Sequence, residues 1–211
     1  MFKSTIRPSI AMIESPAYYT SSYLKTVDDG TIRVFEDPNF FLAVSLDEDT
    51  AVSMASSPFG SILSKKHSNK NLIQFLDEVK RKLKDEGIRK LTIKHPVDIY
   101  DSFVDQQALI DAGLELVFSD VNQHLHLADD WLETIHQMQQ RKIRKLKEEG
   151  FEFTTIPTSE LKMVYDFLNL CRQFQGLNLN VSYQRISQMF QEMPGQYDCF
   201  GVFRQDKISA A

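Results

Sequence analysis

Cysteine is scarce: the 211 residues hold two, Cys171 and Cys199. Neither belongs to a CxxC or zinc-type spacing. That excludes a disulfide-stapled scaffold and a cysteine-based zinc module, and it leaves two free thiols in a reducing compartment. Glycine and proline are also sparse, at 8 and 7 residues, and no low-complexity stretch is present. Positive charge has no majority: 24 Lys and Arg face 29 Asp and Glu, a net charge of −5. A dedicated nucleic-acid binder usually carries a basic footprint, so this balance disfavours one. No apolar run reaches the roughly 18 residues that span a bilayer. The opening "MFKSTIRPSIAMIESP" lacks the apolar centre of a signal peptide, and the expected compartment is the cytoplasm. There is no GxSxG elbow, no P-loop and no GxGxxG.

What is present is core material. The chain is 42% hydrophobic, with 15 Phe and 7 Tyr, and its length suits one large domain or two small ones. Residues 31–36 alternate, 37–39 ("DPN") read as a turn, 40–46 ("FFLAVSL") as a more buried strand and 51–55 as another. Short apolar runs joined by tight turns predict an antiparallel meander. Leu72, Leu76, Val79 and Leu83 recur at helical spacing and predict a helix over 69–87, capped by Asn69 or Asn71 and ended by Gly87. A strand at 88–95, a helix from an Asp98 cap to Gly113 and a strand over 114–127 follow. Residues 129–150 read as one long helix with Leu132, Ile135, Ile143 and Leu146 as its apolar stripe. Then come a strand at 151–156, a helix from Thr158 or Ser159 to Phe174, a shorter helix closed by Pro194-Gly195, and a hairpin around "RQDK". The alternation predicts an α/β (α+β) protein with a mixed, mainly antiparallel sheet flanked by helices. Two domains are expected, 1–128 and 129–211.

Charge concentrates in "RKIRKLK" (141–147). A solvated face near a helix C-terminus accounts for such a run. A phosphate-binding patch of Arg141, Arg144 and Lys145 is the functional alternative. "HLH" puts His124 and His126 on one side of a strand. Two imidazoles begin a metal site, but no third ligand has a recognisable spacing, Asp129 or Asp130 being weak candidates, so no metal is expected. His95 and His136 read as surface residues. Gly60, in "SPFGSI", reads as part of a strand-joining turn, with a bulge or a close backbone approach as the alternative. Cys171, among Leu168, Leu170 and Phe174, reads as a buried structural thiol. Arg172, Gln175 and Tyr183 gather around a loop between two helices, which is either a polar connection or a ligand-contacting loop.

The stretch "QQRKIRKLKEEGFEF" resembles the helix-to-strand entry of FemAB-like and related acyltransferase domains of the GNAT superfamily. "TSELKMVYDFLNLCRQFQGLNLNVSYQRISQMF" resembles the paired first helices that shape the acceptor side there. "YDCFGVFRQDKISAA" resembles the following hairpin, with its "dGkiaA" turn. The likeness covers about 135–211. Residues 1–128 match only in element order, as a degenerate GNAT-like N-terminal lobe.

The resemblance implies N-acyl transfer from acyl-CoA, acetyl-CoA or an aminoacyl carrier to a small-molecule or peptide amine acceptor. It implies acceptor contacts from Arg172, Gln175 and Tyr183. In such folds the donor's pantetheine lies against splayed central strands, and its pyrophosphate is held at a helix N-terminus. The elements that do this follow the terminal hairpin in the family, and no "Q/RxxGxG/A" stretch occurs in this sequence. The expectation is therefore one full lobe plus the first half of a second, truncated and inactive as a 211-residue chain. The other reading is a non-catalytic binding module. There the edge of the last strand would pair with another chain, a homodimer being the simplest case.

Overall fold

The computed structural model describes residues 19–27, 30–54, 57, 59–64, 68–96, 102–121, 123 and 130–211. The chain divides into two compact units, Met1–Asn122 and Gln123–Ala211. The architecture is mixed α and β in both.

In the first unit α1 (Ser21–Val27) precedes the meander β1 (Ile32–Glu36), β2 (Phe40–Asp47) and β3 (Thr50–Ser53). The first turn is fixed by Asp37, whose carboxylate accepts from the N–H groups of Asn39 and Phe40, each at 2.7 Å. After β4 (Leu63–Ser64) come α2 (Asn69–Asp85), β5 (Lys90–Thr92) and α3 (Gln106–Asp111). The sheet order is β1-β2-β3-β5, with β4 also paired to β2. All pairs are antiparallel except β3 and β5, which run parallel with Ala51 opposite Leu91. A helix between two parallel strands is what that pairing requires, and α2 supplies it.

The core lies between this sheet and α2. Leu72, Leu76, Val79 and Leu83 are buried, as their spacing predicts, together with Phe40, Leu42, Val44 and Ala51 of the strands. Phe75 stacks on Phe40 with ring centroids 5.1 Å apart. Burying each side chain of this size is worth about 1.5–3 kcal/mol. Ser68, not Asn69 or Asn71, caps α2: its hydroxyl accepts from the N–H of Asn71 at 3.3 Å.

The second unit runs α4 (Trp131–Thr134), α5 (Gln137–Glu148), β6 (Phe151–Thr155), α6 (Leu161–Phe174), α7 (Tyr183–Glu192), β7 (Phe200–Arg204) and β8 (Lys207–Ala210). Its sheet is antiparallel in the order β6-β7-β8. The hairpin turns through Gln205 and Asp206, both at positive φ (49° and 59°). Two such residues make the turn whose twist matches the flanking strands. Ile156, Leu161, Val164, Met193 and Gly201 are buried here.

Several sequence expectations are corrected. The strand over 114–127 is not formed among the described residues: 114–121 carry no regular structure, and Val117 and Phe118 are exposed. The helix expected from Asp98 is α3 alone, and Asp98 lies outside the described residues. Phe103 and Val104 are instead extended: the N–H of Val104 donates to the carbonyl of Ile62 at 2.9 Å. Asp105 then caps α3 by accepting from the N–H of Ala108 at 2.8 Å. The long helix at 129–150 is two helices. His136 stands between them as an exposed surface residue, as expected, and it also caps α5: its Nδ1 accepts from the N–H of Met138 at 3.2 Å. The break divides the predicted apolar stripe, and Leu132 and Leu146 are both 46% exposed. α6 begins after a tight turn at Thr158–Glu160, and no side chain caps it. α1 had no sequence signal.

Candidate functional site

Three places in the structure gather chemistry. The first is the end of the parallel strand pair in the first unit. β3 and β5 share backbone pairing only as far as Val52 and Thr92. Met54 leaves β3 at positive φ (44°), and the chain departs from the strand line until β4 rejoins β2 at Leu63. Gly60 lies within this departure and bridges to Lys94, its N–H donating to the Lys94 carbonyl at 2.8 Å. Ser53 completes the closure: its hydroxyl donates to the Gly60 carbonyl and accepts from the N–H of Lys94 at 2.8 Å.

Gly60 is therefore a close backbone approach rather than a plain turn. A Cβ at this position would stand 2.4 Å from that of Met54. Around it, Tyr19 donates to the Ser61 carbonyl at 2.5 Å, and the Ser61 hydroxyl lies 3.2 Å from Nδ1 of His95. The Lys94 ammonium donates to the Ser57 carbonyl at 2.5 Å, and partial burial lowers its pKa. Ser53 and Ser61 are fully buried, whereas Lys94 and His95 are half-buried. Where β3 and β5 part, the protein's own chain fills the space at Gly60, which bonds to both Ser53 and Lys94.

The second place is a groove of about 370 Å³ between α4 and α5, lined by Leu132, Glu133, Gln140, Ile143, Arg144 and Lys147. Of the cations Arg141, Arg144 and Lys145, only Arg144 lines it. Lys147 joins Arg144 one turn on, while Lys145 faces Glu149 at 3.7 Å. Lys147 was legible only as one member of the basic run.

The third place is the face between α6 and α7. Tyr165 and Tyr183 meet edge to face at 5.6 Å, and the Lys162 ammonium lies 5.5 Å above the Tyr183 ring while pairing with Asp166 at 2.5 Å. The phenol of Tyr165 donates to the Val181 carbonyl at 3.3 Å. Tyr183, the first residue of α7, thus packs against the first half of α6. Arg172 and Gln175 lie seven and ten residues beyond Tyr165, about 10–15 Å further along the axis, and both are exposed. The three residues grouped in the sequence are not at one point. Lys162, Tyr165 and Asp166 were missed, although Lys and Asp at i, i+4 are a legible helix-face pair.

Cys171 is half-buried rather than buried, and both cysteines are free; burial pushes the Cys199 thiol up. His124, His126 and Asp129 lie outside the described residues. Among the described residues no three His, Cys, Asp or Glu side chains gather as a metal site, and no helix is long and apolar enough to cross a membrane. Comparison with protein-family models, with curated proteins and with solved structures finds no match to this chain.

Proposed function

We propose that the chain is an N-acyltransferase-fold protein whose second unit presents the acceptor side of an acyl-transfer site. The observation that carries the reading is the order of that unit. A strand, two helices and a hairpin follow one another, with the strands antiparallel in the order β6-β7-β8. GNAT-like domains, which the sequence resembles, open in that order. Support also comes from the first unit, where an antiparallel meander leads into the parallel pair β3 and β5. These are likenesses of fold, and activity has to come from a site. The acceptor is an amine, in a small molecule or a peptide, lying along α6 between Tyr183 and the exposed Arg172 and Gln175. The donor that the resemblance implies is acyl-CoA or acetyl-CoA, and the part of its site that this chain carries is the terminal hairpin of β7 and β8. Calorimetric titration with acetyl-CoA tests the reading: saturable heat supports it, and no heat at millimolar ligand overturns it.

The second reading is a non-catalytic binding module. It is favoured by the filled parting of β3 and β5. Among the described residues β8 pairs with β7 alone, so its outer edge is where another chain, including a second copy, would add a strand. Light scattering across a concentration series tests this: growth to a dimer supports it, and a monomer throughout counts against it.

A further inference from the structure

We propose that the groove between α4 and α5 binds a phosphate monoester carrying an apolar body. The inference stands on the groove itself and not on the acyl-transfer reading. The groove is open to solvent, and its volume of about 370 Å³ lies at the lower end of the range of small-ligand sites. Its shape is held by Gln140, whose amide donates to the carbonyls of Glu133 and Ile135, each at 3.0 Å. The side chain of one helix thereby fixes the end of the other.

Arg144 and Lys147 stand one turn apart on the groove side of α5. Among the described residues neither has a carboxylate within ion-pair distance, whereas Lys145 pairs with Glu149. A favourable interaction with the helix dipole explains Lys147, which is in the last turn, but fades before Arg144. A guanidinium fork beside a point charge suits the several oxygens of a phosphate. Leu132 and Ile143 line the same groove and offer apolar surface to the rest of the ligand. Glu133, also in the lining, opposes a polyanion running through the groove. One phosphate held against Arg144 and Lys147 avoids it, so the site favours a single esterified phosphate over a nucleic-acid backbone.

The test uses the whole 211-residue chain and four probes: octyl phosphate below micelle formation, octyl glucoside, inorganic phosphate and phosphatidylglycerol vesicles. Octyl phosphate is expected to bind at least about tenfold more tightly than octyl glucoside or inorganic phosphate. The double variant Arg144→Gln/Lys147→Gln should lose about tenfold or more. Lys142→Gln/Lys207→Gln, with the same change in charge, should stay within about twofold. Arg144→Lys keeps the charge and loses the fork, so a partial loss there supports the site even if the double variant unfolds. Equal binding of octyl phosphate and octyl glucoside overturns the proposal. So does an equal loss in both double variants, or binding to vesicles alone.

Discussion

The backbone N–H of Gly60 donates to the carbonyl of Lys94 at 2.8 Å, tying the loop that follows β3 to the end of β5. The contact leaves no room for a side chain, because a Cβ on Gly60 would lie 2.4 Å from the Cβ of Met54 and 3.1 Å from the phenol oxygen of Tyr19. Gly60→Ala is expected to destabilise the chain by about 1–3 kcal/mol, the usual cost of overpacking a tight interior. Urea unfolding measures it, and an unchanged midpoint would show that the loop does not fill the parting.

Tyr19 supplies a pH-dependent part of the same closure. Burial holds its phenol protonated well above the ordinary tyrosine range. The unfolded chain loses that proton near pH 10, whereas the folded chain keeps it. Stability from this group is therefore full below about pH 10 and falls as the pH rises beyond it. Tyr19→Phe removes the hydrogen bond to Ser61 and is expected to cost about 1–2 kcal/mol near neutral pH. It should also flatten the alkaline decline. Equal slopes for the two proteins above about pH 10 would contradict this.

Ser68 and Asn69 make opposite predictions. Ser68 caps α2 through the N–H of Asn71, so Ser68→Ala should cost about 1 kcal/mol. Asn69→Ala should cost under about 0.5 kcal/mol. The reverse order in denaturant midpoints would restore the sequence-based assignment.

The exposure of α5 is testable without a ligand. No residue of this helix is buried. Changing Arg141, Arg144 and Lys145 together to Gln should cost under about 0.5 kcal/mol per site. A large fall in Tm would mean that these cations are held by contacts the fold does not show.

Legibility followed cooperativity between local signals. The α2 stripe was readable because Leu72, Leu76, Val79 and Leu83 sit on one face and all meet one core. The hairpin at Gln205-Asp206 was readable from two apolar runs around a polar pair. The stripe at 132–146 misled because His136 competes locally: an imidazole that accepts the N–H of Met138 starts a new helix and divides the pattern. The strand expected over 114–127 misled in its described part, 114–121, because an apolar run alone does not provide a partner strand. The candidate sites were less legible than the fold. Arg172, Gln175 and Tyr183 are neighbours in sequence, but the loop from Gly176 runs back along α6 and separates them. The Ser53–Gly60–Lys94 closure joins residues 7 and 41 positions apart, a tertiary relationship with no local pattern.

Hydrogen exchange of the full chain with and without acetyl-CoA tests the central claim most directly. The account predicts slowed amides within 123–211 and unchanged amides at 50–64 and 90–95, where Gly60 and Ser53 already close the parting of β3 and β5. Protection appearing at 50–64 and 90–95, or none anywhere at millimolar acetyl-CoA, would contradict it.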